Sequence, residues 1–171
     1  MAETTKYDKY LTIMQKQEAL LEFSRFTRKD AWDLGHTIAA IIEEKKLVAA
    51  LSIRLASGLI VFQYATEGTY PDNEYWMLRK FNLVRDCGKS SLYSTMEFKK
   101  KGDTLESRGM DPHRYVACGG AFPIRIKDAD IIGAALVSGL PQLEDHDLLI
   151  EGISRHLGVK NVPRVPLNIK L

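Results

Sequence analysis

The sequence predicts an α/β chain of the α+β type, an antiparallel sheet covered by helices, and three observations predict it. Stretches with strand character come in two adjacent pairs, at 48–66 and 115–138, each closed by a short polar or Gly-containing turn. Stretches with helical spacing lie before, between and after those pairs. The strands group into hairpins rather than into right-handed crossovers, which argues against a doubly wound parallel sheet.

The elements follow in order. Residues 4–20 have a partial apolar stripe in Tyr10, Ile13, Met14 and Leu20, with Thr4 or Thr5 as cap. Leu21–Ser24 reads as a short strand, a contribution toward a sheet of about five. Thr27 caps a stronger helix to about Lys46, whose face Ala31, Gly35, Ile38 and Ile42 is apolar. Gly35 costs helix propensity there, so close packing against another backbone is expected. Val48–Leu55 alternates clearly and pairs with Leu59–Thr66 across Ala56-Ser57-Gly58. A helix runs from about Asn73 to Cys87, Gly88 breaks it, and Ser90 or Ser91 caps another to about Lys100. After a polar loop at 102–113, Tyr115–Ile126 and Ile131–Ser138 form the second hairpin, with Gly119-Gly120 marking a bulge or a close backbone approach. Pro141 opens the last helix, to about Leu157. Residues 1–161 read as one domain, and 162–171 as an extended tail, either a disordered end or an arm docked on another subunit.

Composition narrows the function. The chain has 171 residues, 45% hydrophobic and 27% charged, which is ordinary globular usage. Lys plus Arg number 24 against 22 acidic residues, too balanced for an electrostatically driven nucleic-acid binder. The basic run Lys99-Lys100-Lys101 falls where a helix ends and its dipole favours cations. Cys87 and Cys118 form no C-x-x-C pair, so reduced thiols in the cytoplasm are expected. The polar N-terminus does not read as a secretory signal, and the greasiest stretch, Ala129–Leu140, is too short to span a bilayer.

Several residues could carry chemistry. H-E-x-x-H, G-x-S-x-G and G-x-G-x-x-G are all absent, and Gly88-Lys89-Ser90 lacks the upstream Gly of a P-loop because Leu83 stands there. In the 73–87 helix, Trp76, Arg79, Lys80, Leu83 and Cys87 share a face that mixes an aromatic with two cations. Such a face can receive a carboxylate, or it can be a structural cation–π contact. Asp145-His146 lies in the first turn of the last helix, where the helix end keeps an imidazole neutral. His146 shares spacing with Ile150, Ile153 and Leu157, so it is either a buried, hydrogen-bonded histidine or a base or metal ligand. His113 sits in a loop from which it could meet a helix histidine. Ser90, Ser91, Gly119, Gly120, Ser138 and Gly139 lie at element ends, where pockets form.

Five blocks together carry a resemblance: Asp30-Ala31-Trp32-Asp33-Leu34-Gly35; Asp72-Asn73-Glu74-Tyr75-Trp76-Met77-Leu78-Arg79-Lys80; Gly88-Lys89-Ser90-Ser91-Leu92-Tyr93; Gly119-Gly120-Ala121-Phe122-Pro123-Ile124; and Ser138-Gly139-Leu140 followed by Glu144-Asp145-His146. Their order and spacing resemble the haem-degrading-domain family of HbpS-like and GlcG-like proteins, in its uncharacterised cytosolic branch, over about residues 19–157. Lys89 stands where close relatives often carry a histidine. The resemblance implies a profilin-like layered fold, a homo-oligomer, and a haem or corrinoid-type ligand.

Three functions follow as expectations. The first is a small-ligand or haem-binding protein whose site draws on Asn73, Trp76, Arg79, Ser90, Ser91, Gly119, Gly120, Ser138 and His146. In it, Trp76 supplies an apolar wall, Arg79 holds a carboxylate, and His146 or His113 is the axial metal ligand or the base. The second is an assembly protein without catalysis. The third is a metal-dependent or acid–base enzyme built on Asp145-His146 with Ser90 or Ser91.

Overall fold

The computed structural model describes the backbone from Ala2 to Leu171 and the side chains from Lys6 onward. Its elements are α1 (Ala2–Leu20), α2 (Arg28–Glu44), β1 (Ala50–Leu55), β2 (Ile60–Ala65), α3 (Pro71–Cys87), α4 (Ser91–Lys101), β3 (Ala121–Arg125), β4 (Ile131–Ser138) and α5 (Gln142–Leu157). The cap expected at Thr4 or Thr5 lies outside the described side chains.

The four strands form one antiparallel sheet in the order β2-β1-β4-β3, so the two expected hairpins meet through β1 and β4. The fifth strand is reduced to one residue. Phe23 makes a single parallel bridge to Ile126, donating its N–H to the Arg125 carbonyl at 2.8 Å and accepting from the Lys127 N–H at 2.8 Å. The segment is too short to extend the ladder, because the chain turns at once into the Thr27 cap. There the Thr27 hydroxyl accepts from the Asp30 N–H at 3.2 Å and the Asp30 carboxylate accepts from the Thr27 N–H at 2.7 Å.

The sheet has helices on both faces. Leu51 and Ile53 of β1, Ala135 and Val137 of β4, and Phe122 and Ile124 of β3 pack under α2 and α5 with Leu34, Ile38, Ile41, Leu149 and Ile153. The alternate residues Ala50, Ala121, Ala134 and Leu136 face α3 and its Met77, Phe81 and Val84. Each fully buried Leu, Ile or Phe contributes on the order of 1.5–3 kcal/mol, so these two layers hold the domain together. Gly35 serves close packing, but its neighbour is a side chain rather than a backbone: a Cβ there would sit 2.3 Å from the Phe62 ring on β2.

The second hairpin is shorter than its sequence suggests. β3 starts at Ala121, and residues 115–118 form no strand. Gly120, at φ +115°, turns the chain away from the extended region. The tail packs in part against its own chain. Val165 is 4% exposed, inside a third apolar cluster with Leu11 and Met14 of α1, Leu92 and Met96 of α4, and Leu143 of α5. No helix among the described residues is long and apolar enough to cross a membrane.

Candidate functional site

Every turn of the N-terminal half of α3 places a polar side chain over the end of β4. Trp76 follows Asn73 by three residues and Asp72 by four, and Lys80 follows Trp76 by four, so they share one face. Opposite them are Ser138, Gly139 and Leu140 at the β4–α5 junction, Asp145 in the first turn of α5, and Cys118 before β3. Together they line a cleft of about 240 Å³.

Its floor is a buried ion pair. Lys80 is 2% exposed; its Nζ donates to Asp145 Oδ2 at 2.8 Å and to the Val137 carbonyl at 2.9 Å. Asp145 Oδ1 accepts from the Leu140 N–H at 3.0 Å. Burial pushes the Asp145 carboxyl up to about 6, against the opposing pull of the Lys80 ammonium. An ammonium carries three N–H donors, so one remains for a ligand. Gly120 makes the pair possible. A Cβ on it would lie 2.5 Å from Lys80 Nζ and 2.7 Å from the Val137 carbonyl oxygen.

The walls are prepared as well. Asn73 Oδ1 accepts from the Tyr70 N–H at 2.9 Å, and its Nδ2 donates to the Ser138 hydroxyl at 3.3 Å. The Trp76 indole N–H donates to Asp72 at 3.2 Å, which occupies that carboxylate. At the mouth the Arg79 guanidinium stacks on Trp76, 4.6 Å from the ring centroid, and donates to the Pro112 carbonyl at 3.2 Å. Burial raises the Cys118 thiol, which is therefore protonated at neutral pH.

Of the expected site residues, Asn73, Trp76 and Ser138 line this cleft, Arg79 edges it, and Gly120 backs it. Gly119 packs behind, its N–H donating to Gln142 Oε1 at 3.1 Å. Ser90 and Ser91 lie elsewhere. The Ser90 hydroxyl accepts from the Tyr93 N–H at 3.3 Å as the cap of α4, and the Ser91 hydroxyl accepts from the Ala121 N–H at 3.0 Å. Both are buried scaffold.

The two histidines proposed as metal ligands do not meet at the cleft. His146 is 1% exposed; its Nε2–H donates to Gln17 Oε1 of α1 at 2.8 Å, while Gln17 Nε2 donates to the Pro163 carbonyl at 2.8 Å. That bond fixes the tautomer and leaves Nδ1 buried without a partner. Burial, and to a lesser extent the charge of Arg164, pushes the imidazole down to about 3, so it is neutral. One residue along a helix turns the side chain by about 100°, which sends Asp145 to the cleft and His146 to the far side. His113 is exposed on the loop before β3. Among the described residues no group of three His, Cys, Asp or Glu side chains is arranged to hold a metal ion.

The sequence reading noted Lys80 and Asp145 but did not pair them. The available signal was Lys80's place four residues after Trp76 and directly before the core residue Phe81. A second ion pair, buried Arg54 of β1 with the half-exposed Glu74 of α3 (2.7 and 2.6 Å), left no signal, because Arg54 falls on an alternating strand whose other face looked polar.

Comparison with known proteins places this architecture. The family described as haem degrading protein HbpS-like matches residues 26–154. The chain belongs to the HbpS-like family. A UPF0303 protein of Streptomyces coelicolor is 40% identical over 146 residues, covering 85% of this chain and 92% of the relative. The crystal structure of Ybr137w protein superposes with a TM-score of 0.82 at 28% identity, over 94% of this chain and 95% of that one. The PduOC:haem complex shares the fold, with a TM-score of 0.63 at 17% identity over 75% of this chain and 93% of its own.

The family thus raises haem as a ligand for this HbpS-like chain. The macrocycle does not fit the cleft. Its volume of about 240 Å³ is below the ~300–1,000 Å³ that encloses drug-sized ligands, and no imidazole faces it.

Proposed function

We propose that this HbpS-like protein binds a small ligand, or one arm of a larger one, through a carboxylate set into the Lys80 cleft. One observation carries the reading: the buried Lys80 lines a cleft that Trp76 walls and Arg79 edges, and only two of its three N–H donors have partners. Asp145 is paired with Lys80 and accepts from the Leu140 N–H, and one oxygen of Asp72 accepts from the Trp76 indole. Trp76 offers an apolar face for the body of the ligand. A tetrapyrrole would be held here by a propionate, with its ring outside, and not by an axial histidine.

Iron-free protoporphyrin IX and its dimethyl ester separate these modes. In a Trp32→Phe background, quenching of Trp76 fluorescence should saturate with the free acid and not with the ester. Equal binding of the ester, or binding that requires iron, would overturn the reading.

A further inference from the structure

We infer that the cleft takes up its carboxylate ligand together with a proton, and that Asp145 is the group that carries it. This rests on the carboxylate reading above. The geometry sets up a competition. Lys80 Nζ is the one ammonium on the floor, and Asp145 Oδ2 already sits 2.8 Å from it. A second carboxylate on the remaining N–H of Lys80 would put two anions on one cation, away from bulk water. Like charges sharing such a site cannot both stay ionised, so one of the two is protonated.

The protein's carboxyl is the one that yields. Asp145 is 2% exposed and is already raised by burial, whereas an entering carboxylate keeps its body at the open mouth near Arg79. A protonated Asp145 keeps its bond from the Leu140 N–H through Oδ1 and can donate its own O–H to the ligand. The proton comes from solvent, no covalent bond changes, and Lys80 keeps its charge throughout.

Other ionisable groups around Asp145 do not supply the effect. From α3, Lys80 and Arg79 are the basic neighbours, and Asp72 is exposed at the mouth with one oxygen bonded by Trp76. Cys118 is already a protonated thiol and takes up nothing more. Glu144, beside Asp145 on α5, is exposed, and His146 is neutral and sealed on the opposite side. The site therefore selects weak acids, and its affinity for them falls in alkaline solution. Neutral amides and alcohols of the same shape would bind without this dependence.

The test uses benzoate, which stays ionised from pH 5.5 to 8.5, with benzamide as the neutral control. Binding is followed by NMR shifts of the Trp76 indole N–H, and by calorimetry in two buffers of different ionisation enthalpy. Benzoate affinity should fall about tenfold per pH unit above 6, with close to one proton taken up per ligand. Asp145→Asn, which mimics the protonated acid, should bind benzoate with no pH dependence and no proton uptake. The wild-type calorimetry needs no variant, so it decides the matter even if the substitution disturbs folding. Benzoate binding at the cleft that is independent of pH, with no proton taken up, would overturn this inference and leave the carboxylate reading standing. No shift of Trp76 at any pH, with benzoate or with porphyrin, would overturn both.

Discussion

Asp145 and His146 are adjacent in the chain and equally buried, yet they belong to two different regions. Asp145 is on the floor of a cleft, charged, paired with Lys80 and close to solvent. His146 sits in a sealed junction, neutral, bonded to Gln17, with α1 and the tail closed over it. The family match spans residues 26–154, so it takes in His146 and both members of the ion pair but not Gln17. What separates the two regions is that Lys80 and Asp145 line a cleft, while His146 is closed in under α1.

Breaking the cleft pair should have the largest effect. Lys80→Met leaves the Asp145 carboxylate buried without a partner, and should cost about 3–5 kcal/mol in denaturant unfolding. Adding Asp145→Leu should restore much of that loss. If the single variant is as stable as wild type, the pair is not closed as described.

The sealed junction should be weaker. Gln17→Ala strands the His146 N–H and the Pro163 carbonyl, and should cost about 1–3 kcal/mol. Deletion of residues 162–171 should lower the melting temperature in the same direction, because Val165 leaves its cluster.

Stability against pH compares the two regions directly. Asp145 rises from 3.8 to about 6, so its contribution is full below 3.8 and is lost as pH climbs through about 6. His146 falls from 6.5 to about 3, so its contribution is full above 6.5 and is lost as pH drops toward 3. In the shared window the two slopes, about 1.4 kcal/mol per pH unit each, oppose and cancel. Asp145→Asn should unmask the histidine: between pH 6 and 4 its stability should decline more steeply than that of the wild type. The smallest change is expected at Arg79→Ala, which should alter stability by less than about 0.5 kcal/mol while weakening ligand binding.

The sequence made the layers legible because both hairpins carry local signals. Ala56-Ser57-Gly58 closes the first, and Leu51 and Ile53 alternate on β1. The Thr27 and Ser90 caps were readable for the same reason. The site was only partly legible. Trp76 and Arg79 announce themselves by type and spacing on one helix. The Lys80–Asp145 pair spans two helices far apart in sequence, and nothing local says that Gly120 lets them meet. At His146, apolar spacing shows that a side chain points inward but not which interior it enters. Lys80, the residue that matters most, looked like the second cation of a surface face.

The most direct test of the central claim titrates haem into two variants and the wild type, with absorbance and Trp76 fluorescence read on the same samples. If the cleft is the ligand site, Arg79→Ala should bind at least severalfold more weakly, and His146→Gln, if folded, should bind as the wild type does. Binding abolished by His146→Gln and untouched by Arg79→Ala would contradict the account, and would move the site to the junction beneath α1.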